Sequence, residues 1–384
     1  VKPLSLRAAG ILPLVALLGL FATPLARAAD EKVEVKFSGE VGAGILDGQA
    51  ANAGGVAPES LSFNIPRFKL RWDVKVPGDI GITVRADGKE STLGEVDYLW
   101  VDWHSKLGEN PLRFRIGRHK PPVGEETFTD NVVQSPVVFN SAGMLAGVDE
   151  GLEIWTRLGS KERPVELSLT ALNGNRASSG QTRGTPDNNS AKAFVGSVKG
   201  QITENLEGRV SFYDSGDMGT ADSEISIAGL RSPPSGITDW SRSIVALYLR
   251  YDVGKGKKLN PPPFSDSRAI LRFHYASFSD DFQYVSLPTS PDASSLEGTT
   301  WFVDALYNVT PRAFISGRYS TISLDNNATA KLNGVTANEY NRTEVSLGYR
   351  VNSRTLLRTG YQINETSPND PDDDVSTLLL VGTW

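Results

Sequence analysis

Arg113, Arg115, Arg118 and Lys120 fall within eight residues, and Pro121, Pro122, Gly124, Glu125 and Glu126 follow directly. A guanidinium stays protonated at any relevant pH and can grip an oxyanion through two parallel hydrogen bonds. An ammonium acts as a point charge. Leu112, Phe114 and Ile116 alternate with Arg113, Arg115 and Gly117, which marks a strand with one apolar and one cationic face. Two residues apart on a strand, Arg113 and Arg115 point the same way, with their Cα atoms roughly 6.6–6.8 Å apart. Such a pair can pass an anion along, provided that each site holds it weakly. The same arginines can instead neutralise Glu95, Asp97, Glu125 or Glu126, and Lys120 can pair with Glu125 or Glu126. Pro121-Pro122 ends the strand, because proline cannot donate to a ladder. About 25 residues without periodicity then run to Gly147, a length that is usually functional or disordered. Residues 120–147 are therefore expected to fold inward as a constriction loop.

An apolar face and a cationic face on one strand need two different solvents. Alternating apolar positions recur in sixteen segments: 33–41, 68–76, 80–84, 96–103, 112–116, 152–158, 165–169, 194–202, 206–212, 245–251, 271–275, 301–307, 313–319, 345–351, 357–363 and 378–384. Only 96–103 resists a facing, since Tyr98, Leu99, Trp100 and Val101 are all large. Short connections (77–79, 108–111, 203–205, 310–311, 352–353) alternate with long ones rich in Gly, Ser, Asn and Asp (46–60, 120–147, 174–190, 215–241, 280–298, 325–338, 365–374). Residues 253–267 are the exception, long where a short turn is due. Outer-membrane barrels show this asymmetry, and a terminal Trp384 suits their aromatic girdle. The fold class expected is all-β: a transmembrane antiparallel β-barrel of about sixteen strands with an inward-folded constriction loop. A soluble β-sandwich alternates too, but sixteen strands would be many for one sandwich.

Targeting signals agree. Lys2 and Arg7, the apolar run Gly10 to Phe21 and Ala26-Arg27-Ala28 read as a secretory signal, too short to span a bilayer. Residues 1–28 are thus expected to be cleaved, leaving 29–384 as one barrel domain in the outer membrane. Cleavage moves the formal charge from −6 to −9, since Lys2, Arg7 and Arg27 are lost with no acid. No cysteine is present, so disulfides cannot staple this exported chain.

Gly117-Arg-His-Lys120-Pro-Pro122-Val-Gly124-Glu-Glu126 resembles the G-x-x-K-x-P-x-G-x-E segment of the phosphate-selective porin O/P family. Arg67-Phe-Lys-Leu-Arg71, Gly78-Asp79 and the stretch Asp97 to Trp103 are similar to that family's early strands in order and spacing. The resemblance covers roughly residues 60–150 and the terminal strand. It implies a sixteen-stranded trimeric outer-membrane channel with an arginine ladder and constriction-zone lysines. Many channels of the family carry solutes other than phosphate.

With polar faces taken as inward, the lumen would hold eighteen cations: Lys36, Lys69, Arg71, Lys75, Arg85, Arg113, Arg115, Arg157, Lys199, Arg209, Arg250, Arg272, Arg312, Arg318, Arg342, Arg350, Arg354 and Arg358. It would hold ten acids: Glu34, Glu40, Asp73, Asp87, Glu153, Glu166, Glu207, Asp252, Asp304 and Glu344. Cations on low-dielectric walls focus a field that favours anions, unless they simply pair across neighbouring strands. Arg85, Arg113, Arg115, Arg118, Lys120, Arg157, Arg272, Arg318, Arg350 and Arg358 are the candidate anion path. Pro121, Pro122, Gly124, Glu125 and Glu126 are the candidate start of the constriction.

Other chemistry is thin. Asp370-Pro-Asp-Asp-Asp374 has no EF-hand spacing and reads as a solvated loop. His104, His119 and His274 lack zinc-protease spacing, and no nucleophile elbow, P-loop or dinucleotide fingerprint occurs. Basic residues are not clustered as a nucleic-acid patch. No cofactor, metal, nucleic-acid partner or enzyme activity is expected; a barrel hydrolase would need a converging nucleophile and base. The function expected is a porin: an anion-preferring channel for passive diffusion of small hydrophilic solutes, phosphate or similar oxyanions among them. Lipid and, as the resemblance implies, two further copies of the chain are the expected partners. The alternatives are a general or cation-preferring porin, and a sleeve around a partner such as an electron-transfer cytochrome, which would need a lumen without an inward loop.

Overall fold

Apolar–polar alternation at a period of two sends alternate side chains to opposite faces of a strand. In the computed structural model, strands of this kind hydrogen-bond into a closed antiparallel ring. The structure describes residues 32–48, 62–89, 92–124, 137, 148–160, 162–173, 191–219, 237–254, 267–284, 295–324, 338–367 and 374–383. The expected signal segment 1–28, Glu125, Glu126, Trp384 and most of the acidic run from Asp370 lie outside the described residues, as do 125–136 and 138–147 of the expected loop.

The strands are β1 (Glu34–Gly48), β2 (Ser62–Val76), β3 (Ile80–Lys89), β4 (Thr92–Leu107), β5 (Asn110–His119), β6 (Asp149–Gly159), β7 (Pro164–Leu172), β8 (Ala193–Gln201) and β9 (Leu206–Asp214). A two-residue piece, β10 (Met218–Gly219), follows. Then come β11 (Ile237–Val253), β12 (Ala269–Tyr284), β13 (Ser295–Asn308), β14 (Ala313–Leu324), β15 (Glu339–Asn352), β16 (Thr355–Ser367) and β17 (Val375–Thr383). β10 only extends the pairing of β11 through Met218–Trp240 and Gly219–Asp239. The other sixteen form the barrel, and β1 closes it against β17 from Glu40–Thr383 to Gly48–Val375.

At one end the turns are tight and capped by their own side chains. Thr203 Oγ1 accepts from the Leu206 amide at 3.1 Å, and Thr310 Oγ1 from Ala313 at 2.8 Å. Ser160 Oγ accepts from Arg163 at 3.2 Å, and Asn352 Oδ1 from Arg354 at 2.8 Å. Hydroxyl and amide side chains favour turns through just such local bonds. The long connection after Val253 is at this end, as the sequence led us to expect. A second break in the rhythm was not expected: only residues 90–91 separate β3 from β4 at the opposite, long-loop end.

The outer face is apolar. Leu99, Val101, Ile116, Leu169, Phe194, Val198, Val210, Val245, Val303, Val345, Leu347 and Leu380 all stand exposed. Soluble monomers rarely expose apolar area on this scale, whereas a barrel presents it to hydrocarbon. Aromatics mark the band's margins. Phe37–Trp72 (5.4 Å between centroids) and Trp103–Phe114 (5.2 Å) lie toward the short-turn end, and Trp301–Tyr319 (5.3 Å) lies nearer the long loops. β4 resolves its own ambiguity: Tyr98, Trp100 and Asp102 turn inward, and Leu99 and Val101 turn out. Among the described residues, no helix is long and apolar enough to cross a membrane.

Val303 lies mid-strand on the outer face of β13. Val303→Arg should cost about 2–4 kcal/mol of folding stability in lipid vesicles, the scale for a cation at the bilayer midplane, measured by urea unfolding against Val303→Leu. An unchanged unfolding midpoint would mean that this face does not meet lipid.

Candidate functional site

The inner wall carries the expected charges, most of them paired. Along β4–β6 the register sets Asp102 beside Arg115 and Arg115 beside Glu153. Arg115 holds Asp102 through two bonds of 2.8 and 2.9 Å. Arg113 is bonded to Glu153 and lies 3.9 Å from Asp102. Among the described residues the partners of this arginine pair are Asp102 and Glu153, which the sequence had not suggested; of the suggested acids, Glu125 and Glu126 lie outside the described residues. Arg118 lies 3.6 Å from Glu150, and Arg157 is bonded to Glu166 at 2.6 Å.

Indoles steer these guanidiniums. Arg115 lies 4.1 Å from the Trp100 ring centroid and Arg71 lies 5.8 Å from it. Arg113 and Arg157 approach Trp155 at 5.0 and 5.3 Å, and Arg85 lies 3.6 Å from the Tyr98 ring. Planar guanidinium favours such aromatic faces. Neither indole featured in the expected anion path: the facing of β4 was open, and Trp155, although it alternates in phase with Glu153 and Arg157, is itself apolar.

The far wall holds the remaining candidates. Arg272 forks onto Asp304 at 2.8 and 2.6 Å, and Arg318 reaches the same carboxylate at 2.9 Å. Arg350 donates to Pro311 O at 3.1 Å and Asn308 Oδ1 at 3.0 Å. Arg358 is buried, 5.6 Å from the Phe314 ring. Two expected lumen cations are corrected: Arg312 and Arg354 lie exposed in the tight turns, beyond the strand ends that parity alone could not locate. A buried pair that the sequence reading missed is Arg242–Asp280, bidentate at 2.7 and 2.8 Å. Asp280 falls in the stretch 280–298 that had been read as loop, and Arg242 lies between the expected loop 215–241 and Val245, the first apolar position assigned to its strand.

The chain leaves β5 at His119 and turns into the barrel. Pro121, Pro122, Val123 and Gly124 are buried, as is Val137. Gly124 reaches strands well around the ring: its amide donates to Ser211 Oγ on β9 at 3.1 Å, and Arg209 donates to its carbonyl at 2.8 Å. With φ at 62°, it takes a conformation that side chains resist, and a Cβ there would strike the His274 ring on β12. The wall is lowered to receive it, since Ser168, Ser197, Ser211 and Ala246 stand side by side across β7–β11. Above them Val123 joins an inward apolar cluster with Val195, Tyr213, Trp240, Ile244 and Phe278. That apolar bed was not expected either, because inward faces had been taken as polar throughout.

Beneath this segment lies a cavity of about 350 Å³. Among the described residues, six cations line it (Arg113, Arg115, Lys120, Arg157, Lys199 and Arg209) against two carboxylates, Glu153 and Glu166. A larger cavity of about 610 Å³ toward the short-turn end is balanced: Lys36, Arg71, Lys75 and Arg115 face Glu34, Asp73, Asp79 and Asp102. Arg115 borders both. Among the described residues no group of three or more potential metal ligands occurs. Of the acidic run, Asp374 is described, and its carboxylate accepts from Tyr361 at 3.0 Å and the Asn364 amide at 3.1 Å.

No family model matches the chain, and no curated protein matches it in sequence. Solved structures do. The outer membrane channel DcaP of Acinetobacter baumannii aligns with a TM-score of 0.61 at 12% identity, covering 93% of this chain and 99% of that one. An anion-selective porin from Comamonas acidovorans gives 0.58 at 11%, covering 92% and 100%. OmpT, an outer membrane protein of Vibrio cholerae, gives 0.57 at 11%, covering 93% and 99%. The chain has the fold of outer-membrane porins. Within this porin fold, the buried start of the inward segment and its seat on β9 and β12 are properties of this chain's own residues.

Gly124→Val should unseat the segment by collision with His274 while leaving the sixteen-strand ladder intact. Single-channel conductance in planar bilayers should rise in barrels whose heat-modifiable mobility is normal. Unchanged conductance would show that the segment does not limit the pore.

Proposed function

We propose that this chain is a passive outer-membrane diffusion channel for small hydrophilic solutes with a preference for anions, phosphate and similar oxyanions among the candidates. The observation that carries the proposal is the cavity beneath the inward segment, where, among the described residues, six cations face two carboxylates. Low-dielectric walls focus the field of such a surplus into the lumen, which lowers the energy of a passing anion. The name of one structural neighbour, an anion-selective porin, is in line with this reading. Residues 120–147 act as the constriction loop. Residues 1–28 direct export and are cleaved, leaving 29–384 in the outer membrane in contact with lipid, as a homotrimer. The resemblance to phosphate-selective porins and the trimeric form of one neighbour support that assembly.

The balanced larger cavity is what a general porin would show throughout its lumen. A sleeve for a partner protein fits poorly, because Gly124 already stands against β9 and β12 inside the barrel.

Arg113→Ser with Arg115→Ser removes two positive charges and leaves Asp102 and Glu153 uncompensated. The zero-current potential across a salt gradient should shift toward cations, and anion conductance should fall. If the arginines are only structural partners, the barrel will lose heat resistance while its ion preference stays where it was.

A further inference from the structure

We propose that His119 is a proton-operated switch: on taking up a proton it binds Glu153 and strengthens the pore's preference for anions. This rests on the anion-channel reading and adds its regulation. His119 is the last residue of β5, directly before the chain turns into the barrel, and it is fully buried. Its Nδ1 lies 3.0 Å from the Gly117 carbonyl oxygen. A carbonyl only accepts, so Nδ1 carries the proton of the neutral ring and Nε2 keeps a lone pair. That lone pair faces a carboxylate. Nε2 lies 3.8 Å from Glu153 Oε2 and has no hydrogen-bond partner among the described residues. A buried polar atom without a partner is rare and calls for an explanation.

A proton supplies what is missing. Imidazolium donates from both nitrogens, so Nε2 can bond Glu153 Oε2 while Nδ1 keeps the Gly117 carbonyl. Charge-assisted bonds of this kind run at about 2.7–2.9 Å, so the two groups must close by about 1 Å. Glu153 can serve both partners, because Arg113 is bonded to its other oxygen, Oε1. Thr170, the register partner of Glu153 on β7, carries a second buried oxygen without a partner. The surroundings of this carboxylate are thus short of bonds on two sides. Among the described residues, the other charged groups on the elements around the ring are Asp102 on β4, Arg113, Arg115 and Arg118 on β5, Asp149 and Glu150 on β6, and Lys120 on the inward segment. Imidazole is the side chain whose ordinary charge change falls between about pH 5 and 8. Protonation adds one positive charge at the head of the inward segment and draws Glu153 partly away from Arg113. Both changes lower the energy of a passing anion.

The test is the zero-current potential of the full-length protein in planar bilayers across a potassium chloride gradient, at about pH 7.5 and about pH 5.5, on either side of an ordinary imidazole. His104 is exposed and also lines the lumen, so the comparison is made in His104→Gln channels. Acidification should raise the ratio of chloride to potassium permeability about twofold, the scale for one unit charge roughly 10 Å from the ion's path in 0.1 M salt. Adding His119→Gln, which cannot take the proton, should remove most of that response. Glu153→Gln keeps the ring but takes away the carboxylate that stabilises its charge, so it should weaken the response too, and it guards against a His119 variant that fails to fold. No response to pH, a His119→Gln channel that responds as fully as its parent, or an unaltered response in Glu153→Gln would each overturn the inference. The sign of the potential at neutral pH separates the two levels. Anion preference without a His119-dependent response sinks only the switch, and cation preference sinks the anion channel whether or not the response is present.

Discussion

Hydrocarbon offers no hydrogen bond to a free N–H or C=O, so a chain that crosses it as strands must close on itself. The pairing of β1 with β17 meets that demand here, and every other feature depends on it. Closure makes an inside and an outside. Outside, Val, Leu, Ile and Phe face hydrocarbon at little cost. Inside, the period of two delivers a polar side chain at nearly every second residue, crowded into a narrow space. Charges brought so close must be compensated, and the register decides by what. Across six strands it sets Glu207, Arg250, Arg272, Asp304, Arg318 and Glu344 in one row. Asp304 shows the result, a buried carboxylate shared by two guanidiniums. Losing one partner of such a buried set leaves an uncompensated charge, which costs several kcal/mol.

Pairing limits what counting cations can say about selectivity. Most wall arginines answer to a carboxylate on the same or the next strand. In the proposed channel, selectivity comes from local surplus, and among the described residues the surplus gathers where the inward segment crosses. Arg209 shows why the two features coincide. It faces the cationic cavity, yet one of its nitrogens holds the Gly124 carbonyl, so the residue that seats the start of the inward segment also contributes to the cavity's field.

Legibility from sequence follows the contrast between the two faces. β2 and β5 read clearly because Lys69, Arg71, Arg113 and Arg115 alternate with large apolar residues. β4 did not, since Tyr98 to Val101 are bulky on both faces, and Asp102 was lost with it. β11 and β12 were found but cut short. Their upper halves turn Trp240, Ile244, Phe278 and Phe282 inward, so the polar–apolar contrast disappears there and takes Arg242 and Asp280 out of view. Pro121-Pro122 and Gly124 announced a change of direction. That Gly124 would rest on Ser211 and His274 was not readable, because those contacts join residues far apart in the chain and depend on the order of strands around the ring.

The central claim is that the surplus of positive charge beneath the inward segment makes the lumen favour anions. The zero-current potential of the unmodified protein in a planar bilayer, across a tenfold gradient of potassium chloride, tests it most directly. A potential of the sign given by chloride carrying most of the current is the result predicted. A potential of the potassium sign, or one indistinguishable from zero, would contradict it.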